Sequence, residues 1–305
     1  MSKKKIVIIS QGISPVVKAL VESSHHVEGI IECAPRGFKT NVTTFLVKFL
    51  KDIFSVKALK NYARKNRVNY FFMNNGCDDS LETWVTQLKP DLIVVYSMSQ
   101  LLKENIYGIP VMGTINLHPS YLPYYRGPNP WFWMYYYMEE QGGITIHYID
   151  QGEDTGDILA QRKFQIPLGA KLSDVYELAI AHVGVELLLD VIERIDQISP
   201  VKQSTESPTR RAKNISEGKH KSIIKWDSWD VKRVWHVLRG TESWLNAIPQ
   251  PGGIYVGHRW IIDEFEISEP EINHTPGVVY TEKGRQFVSC KNGRVYLKID
   301  FFFLY

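Results

Sequence analysis

The stretch DLIVVYS, residues 91–97, holds an unbroken apolar run that starts abruptly after Asp91 and ends at Ser97. A strand apolar on both faces is one covered on both faces, so this segment reads as an interior strand of a parallel sheet. Working outward in both directions, similar short runs alternate with helical patterns. KIVIIS (5–10), VEGIIEC (27–33) and YFFM (70–73) precede it as strands, separated by helix-like VVKALVESS (16–24), a Lys-bearing stretch over roughly 40–66, and SLETWVTQL (80–88) with Ser80 as its N-cap. GTINLH (113–118) follows as another strand, then a strand pair GITIHYID (143–150) and DILAQRKFQI (157–166) and a long amphipathic helix over 173–195. This alternation predicts an α/β, Rossmann-like open and mostly parallel sheet flanked by helices, whose ligand site lies outside the carboxyl ends of the strands.

After residue 199 the character of the chain changes. Residues 200–223 are polar and basic with no apolar period, as expected of a linker or extended wrap. Beyond it come one short helix in KWDSWDVKRVWHVLRG and a series of short runs, GGIYVG, RWIIDEF, GVVYT, RQFVSC and RVYLKIDFFF, spaced by Gly, Asn and Pro. The predicted organisation is therefore a catalytic domain over 1–199, a basic linker over 200–223 and a small barrel-like β domain over 224–305.

Composition narrows the function classes. The 305 residues carry 36 basic and 33 acidic side chains, a net charge of +3 that gives no electrostatic mandate for nucleic acid. No apolar run is long enough to span a bilayer, and the apolar stretch after the N-terminal lysines is broken by Gln, Gly and Pro. Cys33, Cys77 and Cys290 are widely spaced, which favours a reducing, cytoplasmic setting over a disulfide framework. His25, His26, His182, His220, His236, His258 and His274 lack ligand spacing, so no metal site is expected.

The chemistry concentrates in two segments. Asn116 and His118 stand two apart at a strand end, so their side chains leave from one face, and Pro119 biases His118 to an extended backbone. In QGEDTG (151–156), Asp154 stands two residues before Gly156, on a loop where backbone can approach a ligand. Such a set suits acyl transfer to nitrogen. A carboxamide or imidazolium stabilises the oxyanion, and an imidazole beside a carboxylate moves the proton from attacking amine to leaving nitrogen. By spacing alone, a strand-end His in the core and an Asp in an ordinary turn are the competing readings.

Taken together, TINLHPSYLPYYRG and GITIHYIDQGEDTGDIL resemble the folate-dependent formyltransferase family over roughly residues 5–200. That family includes glycinamide ribonucleotide, methionyl-tRNA and nucleotide-sugar formyltransferases. Its pattern is an Asn-x-His-x-Ser-x-Leu-Pro loop followed about forty residues later by an Asp-x-Gly turn. The resemblance implies N10-formyltetrahydrofolate as co-substrate, no metal, and Asn116, His118 and Asp154 as the catalytic group. It also implies that Ser97, Met98, Ser99, Gln100, Leu101 and Leu102 line a pterin pocket, closed by Asp150, Gln151, Gly152 and Glu153. Tyr121 stands where many members carry Leu, a change expected to alter packing and not chemistry. Around this core, Ser10, Gln11 and Gly12 could present amides to a phosphate, and Tyr125 with Arg126 could meet a phosphate or sugar acid; a plain turn and a loop-fixing hydrogen bond are the rival readings. His147, one strand over, is expected to support the site.

The acceptor is less constrained. The basic stretch over 36–67 and the linker favour methionyl-tRNA, whereas the acidic run DEFEISEPE (263–271), a thin basic excess of 16 over 12 across residues 200–305, and an ending at IDFFFLY, soon after the last expected strand and without a basic tail, weigh against a nucleic acid. The aromatic residues around Tyr124–Tyr137 suit a hexose and base better than an RNA end, although Trp131, Phe132, Trp133 and Tyr135–Tyr137 read first as the buried face of a helix or part of a subunit contact. On balance the sequence points to a nucleotide-diphosphate amino sugar of the kind used in lipopolysaccharide O-antigen biosynthesis, with methionyl-tRNA as the alternative. A formyl-folate hydrolase and a non-catalytic folate or nucleotide-sugar binding protein remain as other classes. A homodimer is consistent with the aromatic surface; no membrane partner is expected.

Overall fold

The computed structural model describes residues 3–35, 58–74, 79–269 and 273–301. Cys77, most of the basic 36–67 stretch, the end of the acidic 263–271 run and the last four residues lie outside these. The chain divides into two compact units: residues 1–128, 142–164 and 177–211 form the first, and 129–141, 165–176 and 212–305 the second. Residues 200–211 of the linker thus group with the first unit.

The first unit is built on strands β1 (Lys5–Ser10), β2 (His26–Cys33), β3 (Asn69–Met73), β4 (Leu92–Tyr96), β5 (Thr114–His118), β6 (Gln141–Tyr148) and β7 (Ile158–Gln165), in the order β3-β2-β1-β4-β5-β6-β7. The first five are parallel; β6 runs antiparallel to β5, pairing Asn116 with His147 and His118 with Thr145. All five residues of β4 are buried, the interior position that its apolar run predicts.

Helices follow local signals. α1 (Pro15–Glu22) starts where Ser14 accepts from the Val17 amide and Pro15 presets the first turn. α2 (Leu59–Lys65), α3 (Asp79–Leu88) and α4 (Glu104–Tyr107) complete the parallel half. Ser80 is not the cap of α3: the helix already begins at Asp79, whose carboxylate complements the dipole of the first turn. Cys33, Val95, Leu81, Val85, Leu102 and Ile106 form part of the core on one face of the sheet. On the other face, Leu117 and Ile144 lie close to Gly184, in the helical segment that leads into α7 (Val185–Arg194). The predicted long helix begins at α6 (Leu172–Tyr176) and widens to π geometry over Glu177–Gly184 before α7.

The second unit contains α5 (Pro130–Tyr136), α8 (Val231–Thr241) and the antiparallel sheet β8 (Arg259–Ile267), β9 (Val279–Glu282), β10 (Arg285–Cys290) and β11 (Gly293–Asp300), in the order β8-β11-β10-β9. GGIYVG is not a strand. It forms an exposed 3-10 turn at Gly253–Tyr255, its alternation lost where Gly253 and Gly257 take positive φ. Phe132 of α5, Val234 and Val237 of α8 and Val288 and Val295 of the sheet share one core. Among the described residues no helix is long and apolar enough to cross a membrane.

Candidate active site

Leu117 on β5 is spent on packing beside the π segment, so its neighbours Asn116 and His118 leave from the opposite face. The antiparallel pairing adds His147 and Thr145 to that same face. Four polar side chains therefore share one surface of two adjacent strands, three of them nearly inaccessible to solvent.

Over this surface folds the loop after β6. Asp150 accepts from the Gly152 amide and the Thr155 hydroxyl, which turns the chain back on itself. Gly156 passes so close to the Tyr148 carbonyl that a Cβ would stand 1.9 Å from that oxygen, so only glycine fits. Between these two fixed points Asp154 takes a left-handed backbone, φ 56°. Its carboxylate lies 3.5 Å from His118 Nδ1 and 3.8 Å from His147 Nε2, and its second oxygen accepts from the Gly127 amide at 2.8 Å. Gly127 itself sits at φ 117°, which a side chain would strain.

Hydrogen-bond logic fixes the ring states. His147 Nδ1 is 2.7 Å from the Tyr148 carbonyl, which can only accept, so Nδ1 carries a proton. Burial pushes the His147 pKa down to about 4, outweighing the nearby Asp154 carboxylate, so the ring is neutral and Nε2 is a lone pair. The atom of Asn116 facing it at 3.1 Å is Nδ2, a donor, as that lone pair requires. One amide proton of Asn116 is thereby committed and the other is free to meet an oxyanion. His118 Nε2 lies 3.1 Å from the Tyr125 carbonyl and Nδ1 faces Asp154, so a proton on either nitrogen has an oxygen partner.

The Pro-rich loop 119–126 is held from below. Thr145 Oγ1 donates to the Ser120 carbonyl and accepts from the Leu122 amide, while Gln161 donates to the Leu122 carbonyl and to Thr145. Tyr125 is also left-handed, at φ 57°, with its amide donating to Thr209. Arg126 is buried and donates to Gln203 Oε1, at 2.8 Å, and to the carbonyls of Ser204 and Thr205. Its observed role is the loop-fixing one. Thr145, Gln161 and Gln203 carried no sequence signal, because their partners lie 16 to 77 residues away or are backbone atoms.

The segments expected around the pterin are partly tied together at the strand ends. Ser97 follows β4 at φ 57°, Ser99 donates to the Ala34 carbonyl at 2.7 Å, and Gln100 donates to the Asn74 carbonyl. Met98 packs on the core and Leu102 is buried, whereas Leu101 is exposed. Gln151 is exposed, and Glu153 is held by Arg211 through two hydrogen bonds. Gln11 also reaches the Ala34 carbonyl, and the Ser10 hydroxyl donates to the Gly12 carbonyl. Among the described residues no cluster of three His, Cys, Asp or Glu is placed to hold a metal.

Comparison with known proteins identifies the family. Residues 45–192 match the formyl transferase family model. The methionyl-tRNA formyltransferase of Clostridium beijerinckii is 31% identical over 72% of this chain and 70% of its own length. That of Caldanaerobacter subterraneus is 30% identical over 90% of this chain and 84% of its own. In fold, the chain is similar to an N-formyltransferase from Helicobacter canadensis solved with folinic acid and dTDP-3-aminofucose, with TM-score 0.63 and 17% identity over 98% of this chain and 100% of that one. The chain belongs to the folate-dependent formyltransferase family and is a formyl transferase that draws its one-carbon group from formyltetrahydrofolate.

Proposed function

We propose that the acceptor is the amine of methionyl-tRNA. The observation that carries this reading is the match to the Caldanaerobacter methionyl-tRNA formyltransferase, which runs over 90% of the chain and so beyond the catalytic unit. Two features of the second unit support it by weakening two of the reasons for an amino sugar. The aromatic run Trp131–Tyr137 is largely core: Phe132, Met134 and Tyr135 are buried, and Trp133 and Tyr136 pack against the Phe132 cluster. The acidic run is largely paired internally, Asp263 with Lys298, Glu264 with Arg285 and Glu266 with Arg294, which blunts its repulsion of a phosphate backbone.

The chemistry is the same for either acceptor. The amine nitrogen attacks the formyl carbon, and the carbonyl oxygen gains the negative charge. Asn116 Nδ2–H meets that oxygen, oriented by the neutral His147. His118 and Asp154 take the proton from the attacking nitrogen and return it to N10 of the folate as the old C–N bond breaks. Atoms and charge balance with no covalent enzyme intermediate.

A nucleotide-linked amino sugar is the second reading. It is favoured by Tyr121 and Tyr124, exposed on the loop that follows His118, where a sugar or base could stack. The deciding experiment offers formyltetrahydrofolate with initiator methionyl-tRNA or with a panel of nucleotide-linked amino sugars and reads the products by mass. Formylation of the tRNA alone is expected. Formylation of a sugar alone overturns the acceptor, and release of formate with every acceptor overturns transfer itself.

A further inference from the structure

The strap 201–211 begins beside β7, where Val201 and Ile158 exchange two backbone hydrogen bonds at 2.8 Å. From there it crosses the loop that follows His118 and the loop that carries Asp154. Gln203 is buried, and its amide nitrogen donates to the Gly156 carbonyl at 2.6 Å and to the Asp154 carbonyl at 3.2 Å. Its amide oxygen accepts from Arg126, whose guanidinium also takes the next two strap carbonyls. Further on, the Ser207 hydroxyl donates to the Pro123 carbonyl, and Thr209 accepts from the Tyr125 amide. The residue so held, Asp154, is in a left-handed conformation that a non-glycine residue adopts only when its surroundings impose it.

We propose that Gln203 and Arg126 are positioning residues for formyl transfer. Gln203 grips the backbone on both sides of Thr155, and Arg126 fixes the Gln203 amide so that its nitrogen, not its oxygen, meets those carbonyls. Together they keep Asp154 in the backbone state that aims its carboxylate at His118 and at the Gly127 amide. The link joins the loop that follows His118 to the loop that carries Asp154, with the strap as the clasp. It rests on the formyl-transfer role of Asp154 and is independent of which amine receives the group.

A small displacement of a catalytic group costs rate before it costs binding. The test measures kcat and the folate KM of the full chain, with whichever acceptor the wild type formylates, for Gln203→Ala, Asp154→Asn and the double variant. Gln203→Ala is expected to lower kcat about 10²-fold with the folate KM within about twofold. In the Asp154→Asn background the same change is expected to cost nothing further, because the group it positions is already gone. Arg126→Lys, which keeps one donor but not the fork, is expected to fall between wild type and Gln203→Ala. If Gln203→Ala does not fold, Arg126→Lys with and without Asp154→Asn makes the same comparison. A Gln203→Ala enzyme with wild-type kcat overturns the inference. So does an equal loss in both backgrounds, which marks a merely structural strap. An Asp154→Asn enzyme with wild-type kcat overturns the catalytic role of Asp154 and this inference with it.

Discussion

The first unit buries His147 and the second buries His236, and in both burial holds the imidazole pKa down at about 4. Their surroundings differ. His147 sits among Asn116, His118 and Asp154, donates from Nδ1 to a carbonyl and offers its Nε2 lone pair to a carboxamide. His236 reverses the tautomer: Nδ1 accepts from the Gly169 amide at 2.9 Å, so the proton sits on Nε2, which is buried with no hydrogen-bond partner. Its ring stacks on Tyr135 at 4.8 Å, and the Tyr135 hydroxyl donates to the next carbonyl of the same turn, Ala170. A depressed pKa alone therefore does not mark a catalytic histidine. In the proposed chemistry one neutral ring orients the carboxamide of Asn116; the other plugs a turn into a core.

The largest effect that would sharpen this contrast is at the carboxylate beside His147. Asp154→Asn keeps the shape but not the charge, and removes the acceptor that His118 Nδ1 faces. A fall in kcat of about 10²–10⁴-fold is expected, the span of general acid–base catalysis. Replacing His236 should leave kcat per folded molecule unchanged. Comparable losses from both would break the distinction drawn between the two rings.

Next in size is His147 itself. His147→Ala removes the acceptor that orients Asn116 Nδ2, and the carboxamide can then rotate away from the oxyanion. The expected loss in kcat is about 10–10²-fold, below the full cost of an oxyanion donor because Asn116 is still present. His147→Gln restores an acceptor oxygen and should recover part of it. Since the ring stays neutral down to about pH 4, no activity limb between pH 5 and 8 should move when His147 is replaced. A limb that disappears in His147→Gln would assign the ring a titrating role and overturn its reading as an orienting group.

Much of the contrast was legible from sequence, but unevenly. Asn116 and His118 announce themselves because a spacing of two on a strand fixes a shared face, and Asp154 because the turn to Gly156 has a recognisable form. His147 was visible as the neighbour on the next strand. Gln203, Thr145 and Gln161 were not, since a side chain that grips a backbone carbonyl leaves no pattern; its meaning comes only from which loop arrives opposite it. The aromatic run at 131–137 left a ligand face and a buried helix face both open for a related reason. Aromatic density reports a large apolar payload but not its direction, and on a seven-residue helix most of it turns into the second unit's core. The π widening at Glu177–Gly184 was equally silent, because ELAIAHVG is apolar on most sides and carries no clear period from which a wider turn could be read.

The smallest effect concerns His236 and acid. A histidine whose folded pKa lies below its unfolded value of 6.5 contributes stability that is complete above pH 6.5, and loses it as the pH falls toward about 4, because the unfolded chain then binds a proton the folded chain refuses. Protonation at Nδ1 would also set two N–H groups against each other at Gly169. Replacing His236 with Ala leaves that amide without its acceptor and opens space beside Tyr135, a cost on the order of 3 kcal/mol at pH 7.5. Seven of the eight tryptophans lie in the second unit, so tryptophan fluorescence follows its melting. The gap in melting temperature between wild type and His236→Ala should be widest at pH 7.5 and should narrow by pH 4.5, since acid removes from the wild type part of what the variant already lacks. A gap that stays constant over that range would mean His236 does not titrate between the two states. Its Nε2 proton would then have found a partner, and the two buried histidines would differ in more than the direction each ring faces.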